Sequence, residues 1–182
     1  MKTSTLCVGL IALLFAPIVA QSQVVNLTGK TTSKITARVT PRDVLTVTDD
    51  KGGWFERGLE MRQTGGWTTP YEVQARLKIV STSGTFQVRM DEPLTIRNQS
   101  DVTQVFRSPK VDMGNEGGTP QTLSVGRNTP FQNPAPPVAG EDSVGYYTLD
   151  ISAYPPEGDF KSTAGTYGGV LSMTFEPVVK VP

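Results

Sequence analysis

The stretch SQVVNLTGKTTSKITARVTP, residues 22–41, alternates its side chains over fifteen positions. From Val25 the odd positions read Val25, Leu27, Gly29, Thr31, Ser33, Ile35, Ala37 and Val39, and the even positions read Asn26, Thr28, Lys30, Thr32, Lys34, Thr36 and Arg38. One face is apolar or small and the other is polar, the two-residue period of a strand buried on one side. Fifteen residues at about 3.3 Å each reach roughly 50 Å, longer than most sandwich strands, so the run suits an extension followed by the first strand of its own domain. No tight-turn signal follows to fold it back on a neighbour. Left alone, such an arm exposes unpaired amides and carbonyls that invite edge pairing. Burying Val25, Leu27, Ile35 and Val39 contributes roughly 6–12 kcal/mol before ordering costs, comparable to the about 5–15 kcal/mol net stability of a whole domain. Two destinations stay open: the arm's own sheet, or a groove in another subunit filled by strand addition.

Ahead of the arm, residues 1–20 carry Lys2, an apolar stretch from Val8 to Val19 and the small-residue ending Ile18-Val19-Ala20. This is the pattern of a secretory signal peptide cut near Gln21. The apolar stretch is interrupted by Pro17 and is shorter than the about twenty residues of a spanning helix. Cleavage removes Cys7, the single cysteine, and Ser4-Thr5-Leu6 before it does not form a lipid-attachment signal. The exported chain then has no disulfide and must be stabilised by its core or by association.

What remains is the size of one domain, residues 41–182, preceded by the extension 21–40. Without Lys2, sixteen basic residues stand against seventeen acidic ones. That balance names no partner, and neither nucleic acid nor an anionic membrane surface is expected.

Alternation recurs downstream. Tyr71, Val73, Ala75, Leu77 and Ile79 form one apolar row; Phe86, Val88 and Met90 a second; Tyr147, Leu149, Ile151 and Ala153 a third; Tyr167, Gly169, Leu171, Met173 and Phe175 a fourth. No segment carries a helical stripe. Clusters at Gly52-Gly53, Gly65-Gly66, 114–120, 128–140 and 155–158 read as turns and loops, with the proline-rich 128–140 as an extended surface loop. Short strands so punctuated predict an all-β sandwich.

Chemistry is limited by what is missing. With no histidine in the chain and no cysteine after the leader, Ser-His-Asp and Cys-His catalysis, zinc sites and haem ligation lose their usual residues. No Gly-x-Ser-x-Gly, Ser-x-x-Lys or P-loop pattern occurs. The acids Asp49-Asp50, Glu56/Glu60, Asp91-Glu92 and Glu141-Asp142 sit in turn-like sequence and read as solvated rather than as a glycosidase pair or a calcium cage. No enzyme activity and no cofactor or metal are expected. Asn26-Leu27-Thr28 and Asn98-Gln99-Ser100 fit the N-glycosylation pattern, which matters only in a glycosylating host. Trp54 and Trp67 each follow a Gly-Gly pair; they either cap a core or stack on sugar rings, as in a secreted carbohydrate-binding sandwich.

Two stretches carry a family resemblance. Ile35-Thr36-Ala37-Arg38-Val39-Thr40-Pro41 resembles the start of the alpha-class, colonisation-factor type chaperone–usher pilins, and 164–175, AGTYGGVLSMTF, is similar to their last strand. The resemblance covers the termini and is weak between them. It implies an incomplete immunoglobulin-like β-sandwich completed by a donor strand, in a fimbrial subunit that is held by a periplasmic chaperone and passed to an outer-membrane usher. Neighbouring pilin subunits would then join head to tail at the cell surface, supporting adhesion to host glycans. Carried onto this chain, the donor face is Val25, Leu27, Gly29, Ile35, Ala37 and Val39, with Gly29 suited to a shallow part of the groove. The acceptor-groove strand carries Tyr167, Leu171, Met173 and Phe175. The chain departs from the family in a longer segment ahead of the aligned part and in a tail, 176–182, that continues past Phe175. The alternative remains the carbohydrate-binding module using Trp54 and Trp67.

Overall fold

The computed structural model describes residues 43–50 and 53–178, all within one compact unit, Thr40–Pro182. The arm and its donor face, the leader and the end of the tail lie outside the described residues.

Three of the downstream rows of alternating apolar residues each become a single strand, two of them the longest of the fold. Tyr71–Ser81 forms β2, Thr85–Met90 forms β3 and Ser143–Tyr154 forms β8. Their odd or even apolar sides supply the fully buried core: Leu77, Ile79, Phe86, Val88, Tyr147 and Leu149. Alternation is strict because each strand has one face against the opposite sheet and one against water. β2 and β8 pair antiparallel over their whole length, from Tyr71 opposite Ala153 to Ser81 opposite Ser143. The remaining strands are β1 (Leu45–Asp49), β4 (Arg97–Asn98), β5 (Arg107–Asn115), β6 (Gln121–Thr122), β7 (Thr129–Gln132), β9 (Tyr167–Gly168) and β10 (Met173–Pro177), with one helical turn α1 (Trp54–Arg57).

One sheet runs β1-β2-β8-β5-β6, a second β10-β3-β7, and β4-β9 forms a small third ladder. The inward faces of the first two enclose the core, including a ring cluster in which Phe86 stacks on Phe131 at 5.7 Å and meets Tyr147 edge to face at 5.3 Å. The result is an antiparallel sandwich of the immunoglobulin-like kind. At the end of the core by the β2–β3 turn, Asn133 is 4% exposed and its amide donates to the Ile79 and Ser143 carbonyls at 3.0 and 3.1 Å. The Tyr147 hydroxyl donates to Asn133 Oδ1 at 2.9 Å. Burial pushes the Tyr147 phenol up to about 12.

Three expectations need correction. The segment 128–140 is not loop throughout: its start is β7, where Phe131 pairs with Phe86 and is buried. Pro130 is tolerated because the Asn133 N–H to Gly84 carbonyl bond puts the odd residues in the ladder and leaves the proline nitrogen on the sheet's outer edge. The last alternating row, 167–175, is two strands rather than one. Tyr167–Gly168 pairs with β4 and Met173–Pro177 with β3, and the chain crosses between them at Gly169, where a Cβ would stand 2.4 Å from the Thr95 carbonyl oxygen. β1 and β5 have no counterpart among the expectations. β5 hides its alternation behind a register shift between Arg107 and Lys110, with Ser108 at φ 47°.

Candidate functional site: an apolar groove between two open strand edges

The described strands do not close the sandwich on all sides. β1 ends one sheet and β10 ends the other, and among the described residues no strand pairs with the outer edge of either. Register shows which backbone groups are left. On β10, the Asp91 N–H donates to the Ser172 carbonyl and the Val178 N–H to the Thr85 carbonyl, so the even residues face β3. The alternation of an antiparallel ladder then turns the N–H and C=O groups of Met173 and Phe175 outward. Pro177, next in that row, has no N–H to offer. On β1, the Thr82 N–H donates to the Val44 carbonyl and the Asp50 N–H to the Arg76 carbonyl. Leu45 and Val47 therefore turn their backbone groups to the open side.

The same odd residues point their side chains inward, and they are only half-buried. Leu45, Val47, Val73, Leu171, Met173 and Phe175 pack against the core yet remain partly exposed, while Phe86 and Val88 on the neighbouring strand are fully buried. Among the described residues, no layer covers this seam. What lies there is a groove of about 1500 Å³, larger than the about 300–1,000 Å³ of a small-molecule pocket. Its floor runs from Val47, which sits opposite Ile79, to Tyr71 at the other end of β2. Those nine residues of β2 span about 27 Å, room for an extended segment of similar length with about five inward side chains.

The far end of the groove is aromatic. Tyr71, Phe106 and Tyr167 stand edge to face in a row, at 5.2 and 5.0 Å between ring centres. The Tyr167 hydroxyl lies 2.7 Å from the Thr163 carbonyl and 2.8 Å from Gln104 Oε1, which fixes its ring against the groove wall. Trp67 (41% exposed) and Phe160 (63% exposed) meet edge to face at 6.4 Å beyond it.

Along the β2 edge, the chain leaves the ladder after Asp50 and rejoins it where Arg62 bridges Glu72. Between these points lies a strap, 53–61, built on α1. Gly53 and Gly58, at φ 72° and 79°, bracket the turn in a conformation that other residues rarely adopt. Trp54 packs on the core and donates its indole N–H to the Arg76 carbonyl at 3.4 Å, so it caps the core and is not a free platform. Trp67 is the more exposed of the two tryptophans and also lines the groove.

The β10 wall is held from its outer face. Arg89 on β3 reaches Glu176 at 2.9 Å and Asp91 at 3.7 Å. Asp91 accepts from the Thr174 and Ser172 hydroxyls at 2.7 and 2.8 Å, and these bonds, Thr174 first, hold its carboxyl below the usual range. Glu176 is likewise held low, by Arg89 first and then by Gln87. The beginning of the tail is thereby part of the sheet: Glu176 and Pro177 belong to β10 and Val178 bonds to Thr85.

Tyr167, Leu171, Met173 and Phe175 are thus brought together on one wall, although Tyr167 is on β9, Met173 and Phe175 are on β10, and Leu171 is in the crossing between them. Sequence reasoning missed the opposite wall, Leu45, Val47, Leu59 and Met61, whose apolar alternation begins and breaks within a few residues. The second sequon is closed: Asn98 is 4% exposed, its amide donates to Gln104 and its carbonyl oxygen accepts from the Ser100 N–H.

Comparison with known proteins gives the context. Among curated proteins, none matches the chain. A chain in a solved structure described as "Chaperone-tip adhesin complex is vital for synergistic activation of CFA/I fimbriae biogenesis" is similar at 18% identity and TM-score 0.50, over 74% of this chain and 42% of that one. This chain therefore spans less than half the length of that neighbour, and at such identity the likeness concerns the fold. A family model described as CS1 type fimbrial major subunit matches residues 30–176. That match takes in every described strand, β10 as far as Glu176, and most of the chain, so the protein belongs to the CS1 type fimbrial major subunit family and is a structural, non-enzymatic subunit of a fimbria.

Proposed function

We propose that the subunit polymerises by donor-strand exchange, the arm 21–40 of one copy filling the groove of the next. The observation that carries this is the coincidence of two things along one seam. Met173, Phe175, Leu45 and Val47 leave backbone groups turned to an open side, and the side chains of the same residues are half-buried. An inserted strand satisfies both at once: it continues each sheet through hydrogen bonds and covers the apolar floor with alternate side chains. The arm offers a matching period, Val25, Leu27, Gly29, Ile35, Ala37 and Val39 on one face. The groove takes about nine residues of it, the remainder serving as connector. Because the arm and the groove are different surfaces, the contact is heterologous and does not close, which produces a filament.

Before assembly the seam needs a temporary occupant. The likeness to a chain of a chaperone–adhesin complex supports a chaperone in that role, and we infer that it is periplasmic and hands the subunit to an outer-membrane usher. Export then begins with the leader 1–20 and ends at the cell surface, where the fimbria supports adhesion.

The test uses gels of unboiled samples from cells that express the full chain with its chaperone and usher. Ladders that collapse on boiling are expected from the unaltered chain. They disappear when residues 21–39 are deleted with the leader kept, and when Ile35→Asp and Val39→Asp are combined. Persistence of the ladder in both variants sinks the reading.

A further inference from the structure

The formal neutrality of the chain conceals a division of charge. Residues 21–42 contain four cations, Lys30, Lys34, Arg38 and Arg42, and no acidic residue. Residues 43–182 contain all seventeen acidic residues against twelve basic ones. Three of the four arm cations, Lys30, Lys34 and Arg38, fall on the even face, four residues apart. When the odd face enters the groove, the two-residue period turns this cationic row to the outside, level with the rims of the seam. One rim is the strap, where Glu56 and Glu60 line the groove and are exposed. Glu56 has no ion pair among the described residues; Glu60 reaches Arg62 at 3.7 Å, with both side chains largely in water, a contact of little strength. Arg57, which shares the strap, is itself engaged.

Resting on the donor-strand reading, we propose that the occupant of the groove is recognised by charge as well as by shape. The Lys30, Lys34 and Arg38 row of a second copy is drawn to the acidic body of the acceptor, with Glu56 and Glu60 as its contacts on the strap. Shape alone accepts any alternating strand of the right length, and a secretory compartment contains many. Opposite net charges on arm and body raise the encounter rate of the correct pair, by about tenfold or more at low salt. They also oppose the wrong approach of body to body, which carry the same sign.

A charge swap on full-length chains tests this. One variant combines Lys30→Glu, Lys34→Glu and Arg38→Glu; the other combines Glu56→Lys and Glu60→Lys. Chains purified in denaturant are diluted, singly or mixed, into about 50 mM or about 500 mM NaCl, between which the screening length falls from about 14 to about 4 Å. Growth of the heat-labile ladder is timed. At low salt each variant alone assembles about tenfold more slowly than the unaltered chain, while the mixture regains most of the rate, because each arm then meets a strap of opposite sign. At high salt all four samples converge. A mixture no faster than its components, or an arm variant as fast as the unaltered chain at low salt, overturns the proposal. The Ile35→Asp and Val39→Asp chain separates the two readings. If it loses its ladder while the charge variants behave as the unaltered chain, donor-strand exchange stands and charge recognition falls. If it keeps its ladder, or the unaltered chain forms none, the underlying reading falls and this one with it.

Discussion

Replacing Phe175 by alanine should weaken the assembled fimbria more than the subunit itself, and the comparison with Phe86→Ala makes the difference measurable. Phe86 is fully buried on β3, against Phe131 and Tyr147. Its truncation removes a completed set of contacts and costs about 3–5 kcal/mol whether or not the groove is occupied. Phe175 sits on the adjacent strand with the same inward orientation, opposite Val88, but only half-buried. In the unoccupied subunit its truncation should cost about half as much, about 1.5–2.5 kcal/mol, since only part of its surface has left water. The other half is realised when a strand covers it, so another about 1.5–2.5 kcal/mol is lost from the assembled state, a factor of about 10 to 70 in the stability of each junction. Denaturant titration of chaperone-released subunits and of isolated fimbriae gives the two numbers. If Phe175→Ala and Phe86→Ala each lower subunit and fimbria by equal amounts, nothing is added to the Phe175 side chain on assembly, and the groove is not where the subunits join.

Two titrations follow from the buried and paired groups. Because burial raises the Tyr147 phenol to about 12, its stabilising share is complete below the unfolded value near 10 and is lost as pH rises through about 12. Thermal melts between those values should fall steeply in the unaltered chain and less steeply in Tyr147→Phe, which also starts lower because Asn133 Oδ1 loses its donor. At the other end of the scale, Asp91 and Glu176 are held below their ordinary values, so their contribution is present above those values and disappears as pH falls through the lowered ones. Glu176→Gln should flatten the loss of melting temperature below about pH 4; an unchanged acid limb would show that the β10 clamp does not matter to stability.

The strands that were legible in the sequence are those whose surroundings are uniform along most of their length. β3 and β8 have the opposite sheet on one side from end to end, and β2 has it from Ala75 to Ser81, and a two-residue period of Leu, Ile, Phe, Val and Tyr records that. β5 and β7 were not legible because a register shift and prolines interrupt the period, and a propensity-based reading has no access to the partner strand that tolerates them. The terminal row 167–175 misled for a related reason: its alternation holds on both sides of Gly169, while the hydrogen-bonding partner changes from β4 to β3.

By itself the sequence determined an all-β sandwich, a segment of strict alternation at 25–39 and a chain without histidine. These are properties of period and composition, which depend on neighbours a few residues away. Only the tertiary structure decided that, among the described residues, a seam is open between β1 and β10, with half-buried Val47, Met173 and Phe175 along it and the strap's Glu56 and Glu60 beside it. An open edge is the absence of a partner between strands far apart in the chain, Leu45–Asp49 and Met173–Pro177, and no local pattern in either strand can express it.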